Sequence, residues 1–343
     1  MKDKTLLYIG SQLSKHGTTP QPIEVLGPIL EKNYNVIYSS NKKNILIRML
    51  DMIFTLIKNK SNISFIIIDT YSGWSFYYAL IISALSQFFR IQYIPFLHGG
   101  NLELRLKNNS KLSNFIFSNS YINVSPSTFH ENNFMRYGYD CITIPNVINI
   151  SKYPFKERKV IKCNLLWVRS FQNIYNPLLA LKIVKGLIDE GYIKTSLTMV
   201  GPFKDSSFDE CMDYIKHFSL EKHISAVGLK TKDEWIKLSK TNDIFINTTN
   251  VDNTPVSVIE AMALGMIVIS TNVGGIPNII NGKNGILVPP QNEKKFIKEI
   301  IFLIKNQNTE YSMNAREYSL KYDQKNVLKK WDNIFNKEIN FTI

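Results

Sequence analysis

The feature that most constrains this chain is a repeated alternation in which short apolar, β-branched runs are followed by longer stretches with helical spacing, sustained across 343 residues. Such alternation predicts parallel strands joined by helical crossovers, because each returning helix buries one face of the sheet it has just left. In the first half, strands are expected at 6–9, 35–38, 64–69, 92–97, 121–124 and 141–144, with helices at 22–32, 44–58 and 74–89. The pattern restarts after Pro145-Asn146, where a polar stretch through Lys159 separates the last of these strands from one at 164–168. Further strands are expected at 196–200, 223–227, 244–247 and 267–270, with helices at 177–189, 208–218, 232–240 and 255–264. The length exceeds one ordinary core of about 100–200 residues. The expected fold class is therefore α/β, with two doubly wound domains at 1–152 and 153–317 facing across a cleft. The chain ends in a long stretch, 310–336, whose apolar positions Val327, Leu328, Trp331, Ile334 and Phe335 recur at helical spacing, and a C-terminal helix at about 318–343 is expected to pack back on the first domain.

Composition narrows the class. With 44% hydrophobic and 20% charged residues, the chain has the means to build packed cores, which excludes a disordered or fibrous protein. Three widely spaced cysteines fit neither a disulfide framework nor a CxxC metal site, so a cytoplasmic setting is expected. The start, Met-Lys-Asp-Lys, leads into an apolar run too short for a secretion signal. The longest apolar stretch, 76–89, falls short of the roughly 20 residues that span a bilayer and reads as a buried helix. The net charge of +13 is spread without a Lys/Arg-rich cluster, which argues against a nucleic-acid partner. It leaves room for an acidic substrate or a peripheral contact with the inner face of the cell membrane. No G-x-G-x-x-G follows a strand, which weakens a dehydrogenase reading.

The most informative segment is 250–277, NVDNTPVSVIEAMALGMIVISTNVGGIP. Asp252, Asn253 and Thr254 can each cap a helix that has Pro255 at its first position, followed by Val256. That helix is apolar on nearly every side except at Ser257 and Glu260, which are neighbours on one face. A buried carboxylate needs a partner: ribose hydroxyls, a nearby backbone group, or solvent at a partly open edge. The helix start and the Gly274-Gly275 turn both lie where parallel strands end and where backbone amides hold anions.

The block D252-N-T-P-V-S-V-I-E260-A-M-A-L-G, followed by V-G-G-I-P and N-G-I-L-V-P, resembles the E-x7-E signature of retaining glycosyltransferases with the GT-B fold, glycosyltransferase family 4 (glycosyl transferases group 1). The resemblance covers nearly the whole chain. It implies two Rossmann-like domains, the first holding the acceptor and the second a nucleotide-sugar donor, UDP- or GDP-linked. It also implies a hexosyltransferase-like reaction without metal or cofactor, and an acceptor that is a saccharide or lipid-linked, in bacterial surface polysaccharide or glycolipid synthesis. The absence of a D-x-D near a strand end agrees with metal independence.

Carried over by position, the resemblance places Asp252 near the donor sugar, the loop Asn253, Thr254, Pro255 and Val256 at the sugar or phosphates, and Glu260 on the ribose. Asp252 replaces the family's usual Glu, and Pro255 replaces a Gly whose amide could bond a phosphate. Arg169, in WVRSFQNIYNP, matches a diphosphate-binding Arg, whereas Tyr175 stands where the family carries a Lys. His98, in PFLHGGN, matches a His that reaches the donor sugar, and Gly17 and Thr18 match a glycine-bearing loop near phosphate or acceptor. Tyr175 and Pro255 keep a non-catalytic nucleotide-sugar-binding subunit as one alternative. A nucleotide-sugar epimerase of the same fold is the other.

Overall fold

The computed structural model describes residues 4–16, 20–98 and 102–337. The chain divides into two compact units, one of Met1–Val147 with Gln324–Ile343 and one of Ile148–Asp323.

The first unit runs β1 (Thr5–Ile9), α1 (Pro22–Leu30), β2 (Asn35–Ser39), α2 (Ile45–Asn59), β3 (Phe65–Thr70), α3 (Ser75–Phe88), β4 (Gln92–Leu97), α4 (Leu102–Asn108), α5 (Ser110–Phe117), β5 (Asn123–Ser125), α6 (Thr128–Arg136) and β6 (Cys141–Thr143). Its six strands are all parallel, in the order β2-β1-β3-β4-β5-β6. Alternate side chains feed opposite faces: Leu7, Ile9, Ile66 and Ile68 pack with α2 and α3, while Leu6, Tyr8, Phe65 and Ile67 pack on the other side. Because both faces are covered, β3 is buried at every position, which is why its sequence is a continuous apolar run.

The second unit runs β7 (Asn164–Val168), α7 (Pro177–Asp189), β8 (Ser196–Val200), α8 (Ser207–His217), β9 (Ile224–Ala226), α9 (Lys232–Leu238), β10 (Ile244–Asn247), α10 (Val256–Ala263), β11 (Ile267–Thr271), β12 (Ile286–Val288), α11 (Glu293–Asn306) and α12 (Glu310–Ser319). Its sheet is again six parallel strands, in the order β12-β11-β10-β7-β8-β9. Leu165 and Trp167 face α7 and α11, and Leu166 and Phe245 face α10. Both units are Rossmann-like, and both sheets reverse direction of winding once, between β1 and β3 and between β7 and β10. In open α/β sheets such a switch point leaves a crevice beyond the strand ends, where ligands bind.

Several expectations need correcting. The helix expected at 255–264 begins at Val256, with Pro255 as its extended N-cap (φ −67°, ψ 104°) and no side-chain cap. The strand β12 lies within the N-G-I-L-V-P turn motif, where its three residues were too few to register as a strand. The long helical stretch of 310–336 is broken: α12 stops at Ser319, a tight turn follows at Leu320–Tyr322, and α13 (Gln324–Phe335) starts afresh. α13 joins the first unit, burying Val327, Trp331, Ile334 and Phe335 against Leu6, Tyr8 and Phe96, and Tyr34 pins it by donating to Asp332 Oδ1 at 2.6 Å. α12 stays with the second unit, where Ser312 Oγ donates to Gly265 O at 2.6 Å.

Candidate functional site

At the switch point of the second sheet, Arg169 follows the last residue of β7 and Asp252 lies in the loop after β10. Their side chains form an ion pair between Arg169 Nη2 and Asp252 Oδ2, each only 14% exposed. Arg169 Nε also donates to Asn247 Oδ1, at 3.3 Å. Tyr175 does not supply a second cation. Its ring lies 5.0 Å from the Arg169 guanidinium carbon, as a plate against which that group stacks. The two loops are laced together: Thr248 Oγ1 donates to Tyr175 O and Asn176 O, and Asn250 N donates to Ile174 O at 2.8 Å.

The glycine turn has a structural job of its own. Gly275 N–H is not left for a ligand but donates to Asp252 O at 3.1 Å. A Cβ on Gly274 would sit 1.8 Å from Asp252 O, and one on Gly275 would sit 2.1 Å from Asn253 O. The glycines are there so that one backbone can press against another and fix the height of the Asp252 loop.

The start of α10 is the part left open. Among the described residues, the amides of Val256 and Ser257 have no acceptor. Thr254 Oγ1, Ser257 Oγ and Asn250 Oδ1 are buried without a partner. Buried polar atoms are rarely orphaned, and three within eight residues of one helix start point to a polar ligand that would complete them. Together with the helix dipole, unpaired amides favour an anion. The far end of α10 is firmly held: Arg158, 1% exposed, donates to Leu264 O and, at 2.6 Å, to Ser239 O, while Arg316 Nη1 donates to Ala263 O at 2.5 Å. Burial pushes the Arg158 guanidinium down to about 10, still charged at neutral pH.

Glu260, 3% exposed, lies on the second turn of α10. Its protein partners are neither backbone nor bulk solvent: Oε1 accepts from Tyr153 Oη at 2.6 Å and from Lys232 Nζ. Burial and the adjacent carboxylate raise the Tyr153 phenol far above its ordinary range, so it stays a donor. Oε2 has no partner among the described residues. Sequence reasoning missed both partners. Lys232 is the first residue of α9, marked by the capping box of Thr231 and Glu234, whereas Tyr153 carries no local signal.

His98 belongs to the first unit, immediately after β4. It is 5% exposed, between the rings of Phe96 and Tyr71 at 4.2 and 5.1 Å. Its Nε2 lies 3.1 Å from Asp69 Oδ1, and because a carboxylate only accepts, that nitrogen carries the proton. Tyr8 Oη also donates to Asp69 Oδ1, at 3.1 Å, and Ile23 N, in the first turn of α1, donates to Oδ2 at 3.3 Å. Asp69 thus anchors His98 and leaves Nδ1 for other work. It was legible in principle, as the acidic residue near the end of the otherwise apolar run FIIIDT. Gly17 and Thr18 lie outside the described residues. The structure therefore brings Arg169, Asp252, the 253–256 loop and Glu260 onto one surface of the second unit, while His98 stands with Asp69 in the first.

Two parallel six-stranded sheets, each doubly wound, with an anion-ready helix start at the switch point of the second, define the GT-B architecture. Solved structures agree. HepE of Anabaena, in complex with UDP and glucose, superposes with a TM-score of 0.76 at 14% identity, covering 97% of this chain and 100% of that one. Sucrose-phosphate synthase from Thermosynechococcus elongatus gives a TM-score of 0.77 at 15% identity, covering 98% and 99%. Residues 152–321 match the family model described as Glycosyl transferases group 1. In sequence, the chain is 29% identical over 103 residues to an uncharacterized glycosyltransferase of Methanocaldococcus jannaschii, and the match spans 29% of either protein.

Proposed function

We propose that the chain is a retaining glycosyltransferase of family 4, moving a hexose-like sugar from a UDP- or GDP-linked donor to a saccharide or lipid-linked acceptor. The setting proposed is cytoplasmic, in surface polysaccharide or glycolipid synthesis, and the reaction needs neither metal nor further cofactor. The observation that carries this reading is the second unit's switch point, where Arg169 and Asp252 lie beside unbonded amides and orphaned hydroxyls, with Glu260 Oε2 free on the same helix.

In this reading the second unit holds the donor. The amides of Val256 and Ser257 and the hydroxyls of Thr254 and Ser257 receive the diphosphate, and Arg169 moves from Asp252 to stabilise the negative charge that grows as the nucleotide leaves. Glu260 Oε2 accepts from the ribose, with Oε1 fixed by Tyr153 and Lys232. Asp252, once released, faces the sugar. The first unit serves the acceptor, and His98, oriented by Asp69, offers Nδ1 to the sugar or the acceptor hydroxyl. The HepE structure was solved with UDP and glucose, and the same class of ligand suits the features described here.

The test is a panel of UDP-, GDP-, ADP- and CMP-sugars, read by thermal shift and by release of nucleotide, on the parent, Glu260→Ala and Arg169→Ala. A donor at about 100 times its dissociation constant adds roughly 2.7 kcal/mol of stability. One donor should stabilise the parent and yield its nucleotide diphosphate, with both effects lost in the variants. The anomeric configuration of the product, read by NMR, decides retention. Binding without turnover in the presence of acceptors would favour a non-catalytic subunit, and no binding at all would refute the site.

A further inference from the structure

The outward face of α2 is apolar where a surface helix should be polar. Leu46, Leu50, Phe54 and Ile57 recur along one stripe and are 65, 62, 64 and 43% exposed, with Ile47 beside them at 54%. The opposite face, with Met52 and Leu56, is buried against the first sheet. α3 runs alongside: Tyr78 Oη donates to Ile45 O at 3.4 Å near one end, and Lys60 Nζ lies 4.5 Å from the centre of the Phe89 ring near the other. α3 was expected to be wholly buried, yet it adds its own exposed stripe, Trp74 (68%), Tyr77 and Phe88 (79%). Two adjoining helices thus each present large apolar and aromatic side chains to solvent, and grouped exposure of this kind marks an interaction surface.

The charge around this face has one sign. Lys42 and Lys43 are exposed just before α2, Lys58 and Lys60 at its end, and Arg90 just after α3. Between residues 40 and 90 the only acidic residues are Asp51, which accepts from Ser39 Oγ, and Asp69, which is buried. Neither helix can cross a bilayer: α2, the longer, has 15 residues and α3 has 14, about 21–23 Å of helix against a hydrocarbon core of about 30 Å. We propose that the α2–α3 face lies on an anionic lipid bilayer, with its apolar stripe among the upper acyl chains and its lysines at the headgroups. Trp74 and Tyr77 have the amphipathic rings that settle at that depth. The inference is independent of the transferase reading, since docking requires no donor.

The unaltered chain supplies its own probe. Of its four tryptophans, Trp167, Trp235 and Trp331 are buried and Trp74 alone is exposed. Vesicles of phosphatidylglycerol and phosphatidylcholine should blue-shift the emission, and a Trp74→Phe variant should lose the shift while still sedimenting with the vesicles. Pure phosphatidylcholine should bind about tenfold or more weakly, as should the mixed vesicles in 0.5 M salt. Leu50→Glu/Phe54→Glu should weaken sedimentation by about tenfold or more, and Lys42→Glu/Lys43→Glu should weaken binding to anionic vesicles alone. Circular dichroism melts and nucleotide-sugar thermal shifts serve as controls that the variants remain folded. The proposal is overturned if the parent fails to bind mixed vesicles at low salt, or if binding ignores both charge and the Leu50/Phe54 change. Concentration-dependent dimerisation abolished by Leu50→Glu/Phe54→Glu, without vesicle binding, would give the face to a second copy and overturn it as well.

Discussion

Replacing Gly274 by Ala isolates the contact that sets the height of the Asp252 loop. The new Cβ would stand 1.8 Å from Asp252 O, against a floor of about 3.0 Å for real contacts, so one backbone must retreat by about 1.2 Å. Gly274 also has φ +54°, where an L side chain costs roughly 1–2 kcal/mol whatever the space. Gly282 provides the control: its φ is +77°, but a Cβ there meets nothing within 4 Å. Gly282→Ala should therefore cost only the backbone term and leave donor binding unchanged. Gly274→Ala should cost that and about 1 kcal/mol more as the bond from Gly275 N to Asp252 O is lost. Displacement by more than an ångström at the reacting centre should lower turnover about 100-fold. Calorimetric donor binding and nucleotide-release kinetics on both variants, with melting curves, make the comparison. Turnover by Gly274→Ala within threefold of Gly282→Ala would refute the view that this glycine positions the donor loop.

Tyr153→Phe deletes one of the two donors to Glu260 Oε1 and nothing else. Loss of a buried charge-assisted bond should destabilise the second unit by about 1.5–3 kcal/mol and weaken donor affinity without touching the diphosphate contacts; an unchanged melting curve would show that Glu260 is not held this way. The three cysteines are buried, and burial pushes Cys163 up to about 11 and Cys211 up to about 12 from the usual 9, with Cys141 raised as well. Because these folded values lie above the unfolded ones, the contribution to stability is whole below about pH 9 and is lost as pH rises through 11–12. The melting temperature should fall across that window, and no thiol should react with Ellman's reagent at pH 8 until the chain is unfolded.

Much of the fold was legible because its signals are local. The strands at 92–97, 164–168 and 244–247 coincide with β4, β7 and β10, since a doubly covered parallel strand announces itself as an apolar run bounded by polar residues, and the strand at 196–200, SLTMV, coincides with β8. Helices α4, α5, α6 and α11 were not anticipated, and the apolar face of the first three is short and mixed with polar residues. The candidate site divides in the same way. Asp252 to Glu260 is one continuous motif and could be read directly. Tyr153 lies 107 residues from Glu260 and Lys232 lies 28, and no spacing rule links groups that only the fold brings together. Tyr175 shows the opposite case: its position was legible, while its service as a plate under Arg169 required the coordinates.

The Arg169–Asp252 pair has a bearing on which anions this protein ignores. A guanidinium already clasped by a carboxylate is not an open trap. A solitary phosphate or chloride must outcompete a rival that is tethered to the chain, and it recovers little by doing so. A larger guest that also satisfies the helix start can offset the exchange. On the proposed donor reading, the ion pair works as a threshold that a small anion does not cross and that a guest also bonding the helix start does.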